Sequence, residues 1–275
     1  MPRPAKTGSN SPIARDQVVR GSLPAHTARR IMRDFIARGL EPGDGLADEA
    51  TLIDRYAVSR GTLREALRLL NFLGAVTVKA GRSGGPRLSM PEPAVVGSAL
   101  GMVVQFHGAT LRTVFEARLV VEPAVAALAA ANREDADLEL LDASVVDLRA
   151  AESRRGPAYA DHAATWTLRV AQASHNSLLA TVVPALVAMN STVTWRYPRG
   201  SRPALTDGVR AAVEAIRAGD GAEASRATHD MIKWLVDELQ ANEPSVLEEK
   251  ILWPDLDDVM ARGAGDQTVA SRAAD

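Results

Sequence analysis

The sequence contains no cysteine, which excludes a disulfide framework, a cysteine metal site and catalysis by a thiol. It also lacks the apolar segment that would follow the basic N-terminal residues in a signal peptide. Residues 170–195 contain no Asp, Glu, Lys or Arg over a length that could span a bilayer. Scattered Gln, His, Asn and Pro in that segment favour a buried core or a subunit interface instead. We therefore expect a cytoplasmic protein with no membrane partner.

The charge of the chain is divided unevenly along its length. Residues 1–90 contain 15 Lys and Arg against 8 Asp and Glu, whereas the remaining residues contain 17 against 26. A basic first third on an acidic remainder is the distribution expected when only the first third meets a polyanion. With 275 residues, the chain is long enough to form two domains that each bury a core.

A helix with a row of arginines is predicted within the basic third, over Ser59–Leu73. Ser59 is a good N-cap. One apolar face is formed by residues at helical spacing, namely Leu63, Ala66, Leu67, Leu70 and Leu73. Arg60, Arg64 and Arg68 are four residues apart and share another face. Arginine contacts phosphate or binds guanine through two hydrogen bonds, so the helix suits a DNA major groove. Taken alone, the pattern fits an ordinary amphipathic helix with a solvated charged face slightly better.

The flanking residues favour the DNA-binding interpretation. Asp48–Tyr56 is predicted as a short helix with Asp48 as its cap, and it precedes the arginine helix by a two-residue turn, which is the spacing of a helix-turn-helix. Val76–Val78 is predicted as a strand, Gly81–Gly85 as a turn and Arg87–Ser89 as the returning strand, so a hairpin or wing follows. No helix follows those glycines, which disfavours a phosphate-binding loop.

These residues resemble the GntR-type bacterial transcription factors, which carry an N-terminal winged helix-turn-helix. The resemblance rests on Pro42-Gly43-Asp44, Leu46, Glu49, Tyr56-Ala57-Val58-Ser59-Arg60, Thr62-Leu63-Arg64-Glu65-Ala66-Leu67-Arg68, Leu70, Gly74 and Gly81-Arg82-Ser83-Gly84-Gly85. It implies that operator DNA is contacted by six residues: Ser59, Arg60, Thr62, Arg64, Gly81 and Arg82. Members often carry a basic residue just after the glutamate of the second helix, but here that position is Ala50. That DNA contact is therefore missing or supplied by another residue.

The remainder of the chain is predicted to be helical, so the predicted fold class is mainly α. We expect a disordered arm over residues 1–20, a winged helix-turn-helix domain over 21–89, a linker over 90–93, an all-helical effector-binding and dimerisation domain over 94–240 and a tail over 241–275. Within the tail, the apolar segment Val246–Met260 is expected to dock on the body.

One arginine lies in the middle of an apolar stripe. A helix predicted from Thr110 to about Asn132 places Arg118 among inward-facing residues. A buried guanidinium needs an anionic partner. That partner is either a carboxylate of the protein, such as Glu122 one turn on, or the carboxylate or phosphate of a bound ligand. The sequence leaves these two possibilities open.

The second domain resembles the FadR-type C-terminal effector domain, an all-helical bundle that is usually dimeric. The resemblance rests on Phe115-Glu116-Ala117-Arg118, Val121-Glu122-Pro123, His175-Asn176-Ser177-Leu178-Leu179 and Ile216-Arg217-Ala218-Gly219-Asp220. Many members hold a divalent metal through an aspartate and three histidines. The corresponding positions here are Ala163, Thr167, Val209 and Met231, which are poor ligands. His162, His175 and His229 remain, but His162 and His229 lie off the expected faces. The metal site is therefore expected to be lost, and no cofactor is predicted.

The resemblances and the residues together imply a DNA-binding regulator, most simply a homodimeric repressor. Its operator affinity would respond to a small acidic metabolite bound by Arg118 and Thr167, in a pocket made more apolar by Trp166, Val209 and Met231. Two alternatives remain, a DNA-binding dimer without small-molecule control and an enzyme in the helical domain. The enzyme is the least favoured, because we find no nucleophile–base pairing, His-Glu metal motif or dinucleotide-binding loop.

Overall fold

The computed structural model describes residues 22–79, 85–190, 192–193, 195–198 and 200–253. The predicted arm over residues 1–20, the wing residues 81–84 and the tail from residue 254 lie outside these ranges. The chain separates into two compact units between Pro91 and Glu92. Both units are built mainly from helices, and the described ranges contain one two-stranded sheet, which confirms the predicted mainly α fold.

The N-terminal unit is a helix-turn-helix with a hairpin. Its elements are α1 (Leu23–Ala37), α2 (Glu49–Tyr56), α3 (Arg60–Phe72), β1 (Val76–Lys79) and β2 (Gly85–Leu88). Asp48 and Ser59 cap α2 and α3, as predicted, because their side-chain oxygens accept from backbone N–H groups of the first turn. Ala57 ends α2 in a left-handed conformation.

The two strands of the hairpin are antiparallel, with Val76 opposite Leu88 and Lys79 opposite Gly85. The returning strand therefore begins at Gly85, two residues before the predicted Arg87, and the prediction was wrong at this boundary. Pro86 lies within the strand, because the edge of a sheet tolerates a residue without an N–H donor.

The core of the N-terminal unit forms where α1, α2, α3 and β1 meet. Its fully or almost fully buried apolar residues include Ile31, Phe35, Leu52, Leu63, Ala66, Leu70 and Val76. Leu63, Ala66 and Leu70 were predicted on this face from helical spacing, and Leu67 of the same face is partly buried. The prediction was wrong for Leu73, which is exposed where the helix ends. The burial of Leu63, Ala66 and Leu70 fixes which face of α3 remains available to solvent.

The C-terminal unit is a helical bundle. Its helices are α4 (Pro93–Phe106), α5 (Leu111–Asn132), α6 (Asp135–Ala151), α7 (Ala158–Ala173), α8 (Leu179–Asn190), α9 (Ser201–Ala218), α10 (Gly221–Asn242) and α11 (Pro244–Leu247). The long helices α5 and α10 pack against each other, and α5 also contacts α7, α8 and α9. None of the described helices combines the length and apolar character that crossing a bilayer requires.

A short segment after α11, Glu249–Trp253, ties the end of the bundle to its beginning; we call it the strap. The Leu111 N–H donates to the Glu249 carbonyl at 3.0 Å, and the Ile251 N–H donates to the Ala109 carbonyl at 2.9 Å. Ile251 is completely buried. The first part of the apolar tail segment thus packs on the body, whereas its continuation lies outside the described residues.

Candidate DNA-binding face and effector cavity

The first turn of α3 is held by side-chain hydrogen bonds. The Ser59 hydroxyl accepts from the Thr62 N–H at 3.1 Å, and the two hydroxyl oxygens lie 2.9 Å apart. Leu63, Ala66 and Leu70 bury the opposite face. The small, capped end of α3 is therefore fixed in place and exposed to solvent, as a close approach to DNA requires.

Two arginines of the row on α3 contact a carboxylate of α2. The Arg64 Nε lies 2.8 Å from Glu49 Oε1, and its Nη2 lies 3.4 Å from Glu49 Oε2. The Arg60 Nε lies 3.6 Å from Glu49 Oε1. The hydrogen bond from Arg64 holds the pKa of the Glu49 carboxyl below its ordinary value. Arg68 instead pairs with Glu65 of its own helix.

The sequence did not reveal that Glu49 contacts Arg64 and Arg60. Arg60 and Arg64 lie 11 and 15 positions after Glu49, so no helical spacing connects them to it. Neighbouring Ala50 is exposed, and it offers no polar group for DNA.

Of the predicted wing contacts, Gly81 and Arg82 lie outside the described residues. Arg87 of β2 donates to the Gly43 carbonyl at 2.9 Å, so it braces the base of the hairpin.

Arg118 of α5 is buried and paired with Glu122. Its Nε and Nη2 lie 2.5 and 3.3 Å from the two carboxylate oxygens, and its guanidinium lies 5.2 Å from the centre of the Phe115 ring. Burial alone would lower the pKa of Arg118, but the Glu122 carboxylate outweighs burial and raises it. Of the two partners that the sequence left open, the structure contains the internal carboxylate.

A small cavity of about 10 Å³ lies beside this ion pair. It is lined by Glu122, Val125, Trp166, Thr167, Val170, Val183 and Thr228. The Trp166 Nε1 and the Thr228 Oγ1 are buried and find no hydrogen-bond partner among the described residues. A space of this size holds about one water molecule. Two residues of the lining thus carry buried polar atoms without a partner, and the cavity has no room for a metabolite as it stands.

The four positions that correspond to metal ligands in the related domains do not form one polar cluster. Thr167 lines the cavity and donates to the Ala163 carbonyl at 3.1 Å. Val209 is buried in the apolar core, and Met231 packs on Gly208. Across the described ranges, no three His, Cys, Asp or Glu side chains are grouped so that they could hold a metal ion.

The predicted apolar pocket around Trp166, Val209 and Met231 was wrong in two of its three residues. Only Trp166 lines the cavity, whereas Met231 lines a separate surface groove of about 350 Å³ between α9 and α10. Gly208 allows this arrangement, because its missing Cβ would lie 2.8 Å from the Met231 Cγ. On α10, Thr228 lines the cavity in place of Met231. Thr228 could have been identified as a cavity residue from the sequence, because it lies at helical spacing from the buried Ala224 and Ile232.

The histidines also have local roles. His175 adopts a left-handed conformation, and its Nε2 lies 2.8 Å from Asp137 Oδ2. The hydrogen bond to Asp137 raises the pKa of His175 above its ordinary value. His229 contacts the adjacent Asp230 on the surface. Neither histidine lines the cavity.

Comparison with known proteins identifies two family domains in the chain. Residues 23–84 match the bacterial regulatory proteins of the gntR family, and residues 113–233 match the FCD domain. The transcriptional regulator Mce2R of Mycobacterium tuberculosis is 29% identical over 80% of this chain and 93% of its own length. LutR of Bacillus subtilis is 33% identical over 51% of this chain and 63% of its own length.

Two further similarities extend over most of the chain. The galactonate operon transcriptional repressor of Escherichia coli is 26% identical over 70% of this chain and 85% of its own length. A solved structure of a GntR protein from Streptococcus agalactiae superposes with a TM-score of 0.61 at 23% identity. It covers 77% of this chain and 98% of the solved chain, and it supports the fold.

Proposed function

Since this chain belongs to the GntR-type bacterial transcriptional regulators and carries an FCD domain, we propose that it is a homodimeric repressor controlled by a small metabolite. The metabolite binds in the helical unit and lowers the affinity of the winged unit for its operator. Repression is supported by the relative that is named the repressor of a galactonate operon. Such a protein works in the bacterial cytoplasm, where operator DNA lies. We assign no catalytic activity to the helical unit.

The observation that carries DNA binding is the exposed arginine row on α3. Arg60 and Arg64 leave 69% and 60% of their side chains exposed, next to a capped helix end with small residues. A duplex of two half-sites suits a symmetric dimer with one α3 in each major groove. The proposed operator contacts are Ser59, Arg60, Thr62 and Arg64 of α3 together with Gly81 and Arg82 of the wing.

The proposed effector is a small acid that binds around Arg118. Its carboxylate replaces that of Glu122 on the guanidinium, and Thr167 contacts the bound molecule from the same cavity. The unpaired Trp166 N–H and Thr228 hydroxyl then donate to the acid or to the displaced Glu122. Buried donors without an acceptor cost free energy, so supplying an acceptor favours the bound state.

The small size of the cavity supports a mechanism by which the effector controls operator binding. At about 10 Å³ it excludes any metabolite, so binding requires the helices around it to separate. A ligand that binds only the expanded arrangement shifts the population toward it. We propose that this expanded helical unit positions the two winged units of the dimer unfavourably for the operator.

Selection of binding sites from fragmented genomic DNA tests the DNA-binding part. Wild type and the double variant Arg60→Ala/Arg64→Ala are compared at near-physiological salt. We expect wild type to enrich a short palindrome and the double variant to enrich none. Enrichment of the same palindrome by both proteins would refute the assignment of Arg60 and Arg64 to operator contact.

Thermal unfolding with a panel of small carboxylic acids tests the effector. An acid that binds the folded state raises the unfolding midpoint, and it should also release the selected palindrome. Arg118→Met should abolish the shift that the active acid causes. If operator binding is intact and no acid shifts the midpoint, the chain is a DNA-binding dimer without this form of control.

A further inference from the structure

We propose that Glu49 is a specificity-determining residue, which suppresses binding to arbitrary DNA by holding Arg64 and Arg60 until guanine is presented. The inference rests on the proposed operator contacts of these two arginines. Glu49 would not touch DNA itself. It acts through the arginines, and it is therefore a positioning residue.

The geometry of the Glu49 carboxylate supports this role. Glu49 occupies the first turn of α2, where the partial positive charge of the helix end favours a carboxylate. From there, its two oxygens accept from the Nε and Nη2 of Arg64, and one of them also lies 3.6 Å from the Arg60 Nε. One carboxylate on α2 thus contacts two arginines on α3.

The contact leaves part of the Arg64 guanidinium available. Arginine has five N–H donors, and the side that faces Glu49 uses those of Nε and Nη2. The remaining N–H donors of the two terminal nitrogens point away from the carboxylate, and a pair of them suffices for guanine O6 and N7. Glu49 therefore fixes the plane of the guanidinium without blocking a contact to a base.

The same contact weakens the attraction of this face for phosphate. Arg60, Arg64 and Glu49 together carry one positive charge instead of two. Binding to arbitrary DNA depends almost entirely on such charges, because it is driven by the release of counterions from phosphates. Specific binding depends in addition on base contacts, which oriented donors improve. Glu49 should therefore lower non-specific affinity more than it lowers operator affinity.

The chain offers a matched control on the neighbouring turn of α3. Glu65 pairs with Arg68 at 2.5 Å within the same helix, and both side chains are more than half exposed. Glu65→Gln removes the same charge as Glu49→Gln and leaves Arg60 and Arg64 untouched. A difference between the two variants therefore reports the contact between Glu49 and the arginines, and not a general change of charge.

The test compares wild type, Glu49→Gln and Glu65→Gln on the palindrome from the selection and on a random duplex of equal length. We expect Glu49→Gln to bind the random duplex several-fold more tightly, with a salt slope steeper by about 0.9. The preference for the palindrome should fall about tenfold, which corresponds to one base contact. Glu65→Gln should change both affinities by a similar factor and keep the preference.

A second comparison shows whether Glu49 acts through Arg64. In the Arg64→Ala background, Glu49→Gln should lose most of its effect on the preference. An unchanged preference in Glu49→Gln, or equal preferences in the two glutamine variants, would overturn the proposal. If Arg64→Ala itself binds the palindrome as wild type does, the proposed operator contact fails instead. The two failures are therefore distinguishable.

Discussion

The indole N–H of Trp253 donates to the buried hydroxyl of Ser98 at 2.6 Å. The backbone N–H of Trp253 also donates to the Gln105 side chain at 2.7 Å, so the strap holds α4 at two points. This helix begins at Pro93, directly after the boundary between the two units. The end of the described chain thus fixes the helix through which the winged unit is attached.

Replacing Trp253 with Phe should destabilise the helical unit by about 1–3 kcal/mol, because it leaves the Ser98 hydroxyl buried without a partner. Chemical denaturation measures the change. Adding Ser98→Ala should recover part of the loss, since it removes the unsatisfied group as well. A variant that unfolds at the wild-type midpoint would show that the hydrogen bond is not formed in solution.

Breaking the buried pair of Arg118 and Glu122 from one side should be costly. Arg118→Met leaves a buried carboxylate without its cation, and we expect a loss of about 3–5 kcal/mol in the free energy of unfolding. Replacing both partners with Arg118→Met/Glu122→Leu should restore most of this stability. If the single and the double variant lose the same amount of stability, the unpaired Glu122 carboxylate is not the cause of the loss.

The contact between His175 and Asp137 should make stability depend on pH. The folded-state pKa of His175 is raised by its hydrogen bond to Asp137. Its contribution is therefore fully present below the ordinary pKa of histidine, about 6.5, and is lost as the pH rises through the raised value. His175→Gln should lower the unfolding midpoint at about pH 6 more than at about pH 8. Equal effects at both pH values would rule out the charged contact.

Gly97 lies at a close approach of α4 and α8. A Cβ at this position would lie 2.9 Å from the backbone oxygen of Ala185, which has little freedom to move. Gly97→Ala should therefore destabilise the helical unit by about 1–3 kcal/mol, as overpacking does. Gly61→Ala on α3 is the matched control, because a Cβ there meets only the Ser59 hydroxyl at 3.9 Å. The control should be neutral or stabilising by up to about 1 kcal/mol in thermal unfolding.

Local signals in the sequence were sufficient for the helix-turn-helix. Ser59 and Asp48 predicted the two caps, and helical spacing predicted the buried Leu63, Ala66 and Leu70 of α3, because capping and helical periodicity act within a few residues. The contact from Glu49 to Arg64 could not be predicted in this way. It depends on the angle at which α2 and α3 meet.

In the helical unit, too, local sequence signals did not predict which residues of different helices meet. The position of Arg118 in an apolar stripe predicted its burial, but the sequence could not choose between Glu122 and a ligand as its partner. Met231 was expected at the pocket and lies at the surface groove, whereas Thr228 lines the cavity. One turn of α10 separates the two residues, so the outcome depends on how α9 and α10 pack and not on their composition.

The strap has a consequence for the order of folding during synthesis. The N–H of Leu111, the first residue of α5, donates to Glu249, so the start of this long helix is completed only by one of the last described residues. In the described part of the winged unit, the core residues and both strands of the hairpin lie before Pro91, so these elements can form earlier. About 160 residues separate the end of the winged unit at Pro91 from the strap. At roughly 5–20 residues per second, the ribosome needs roughly 10–30 s to synthesise them. A nascent chain can therefore fold a DNA-binding unit well before its sensor is complete.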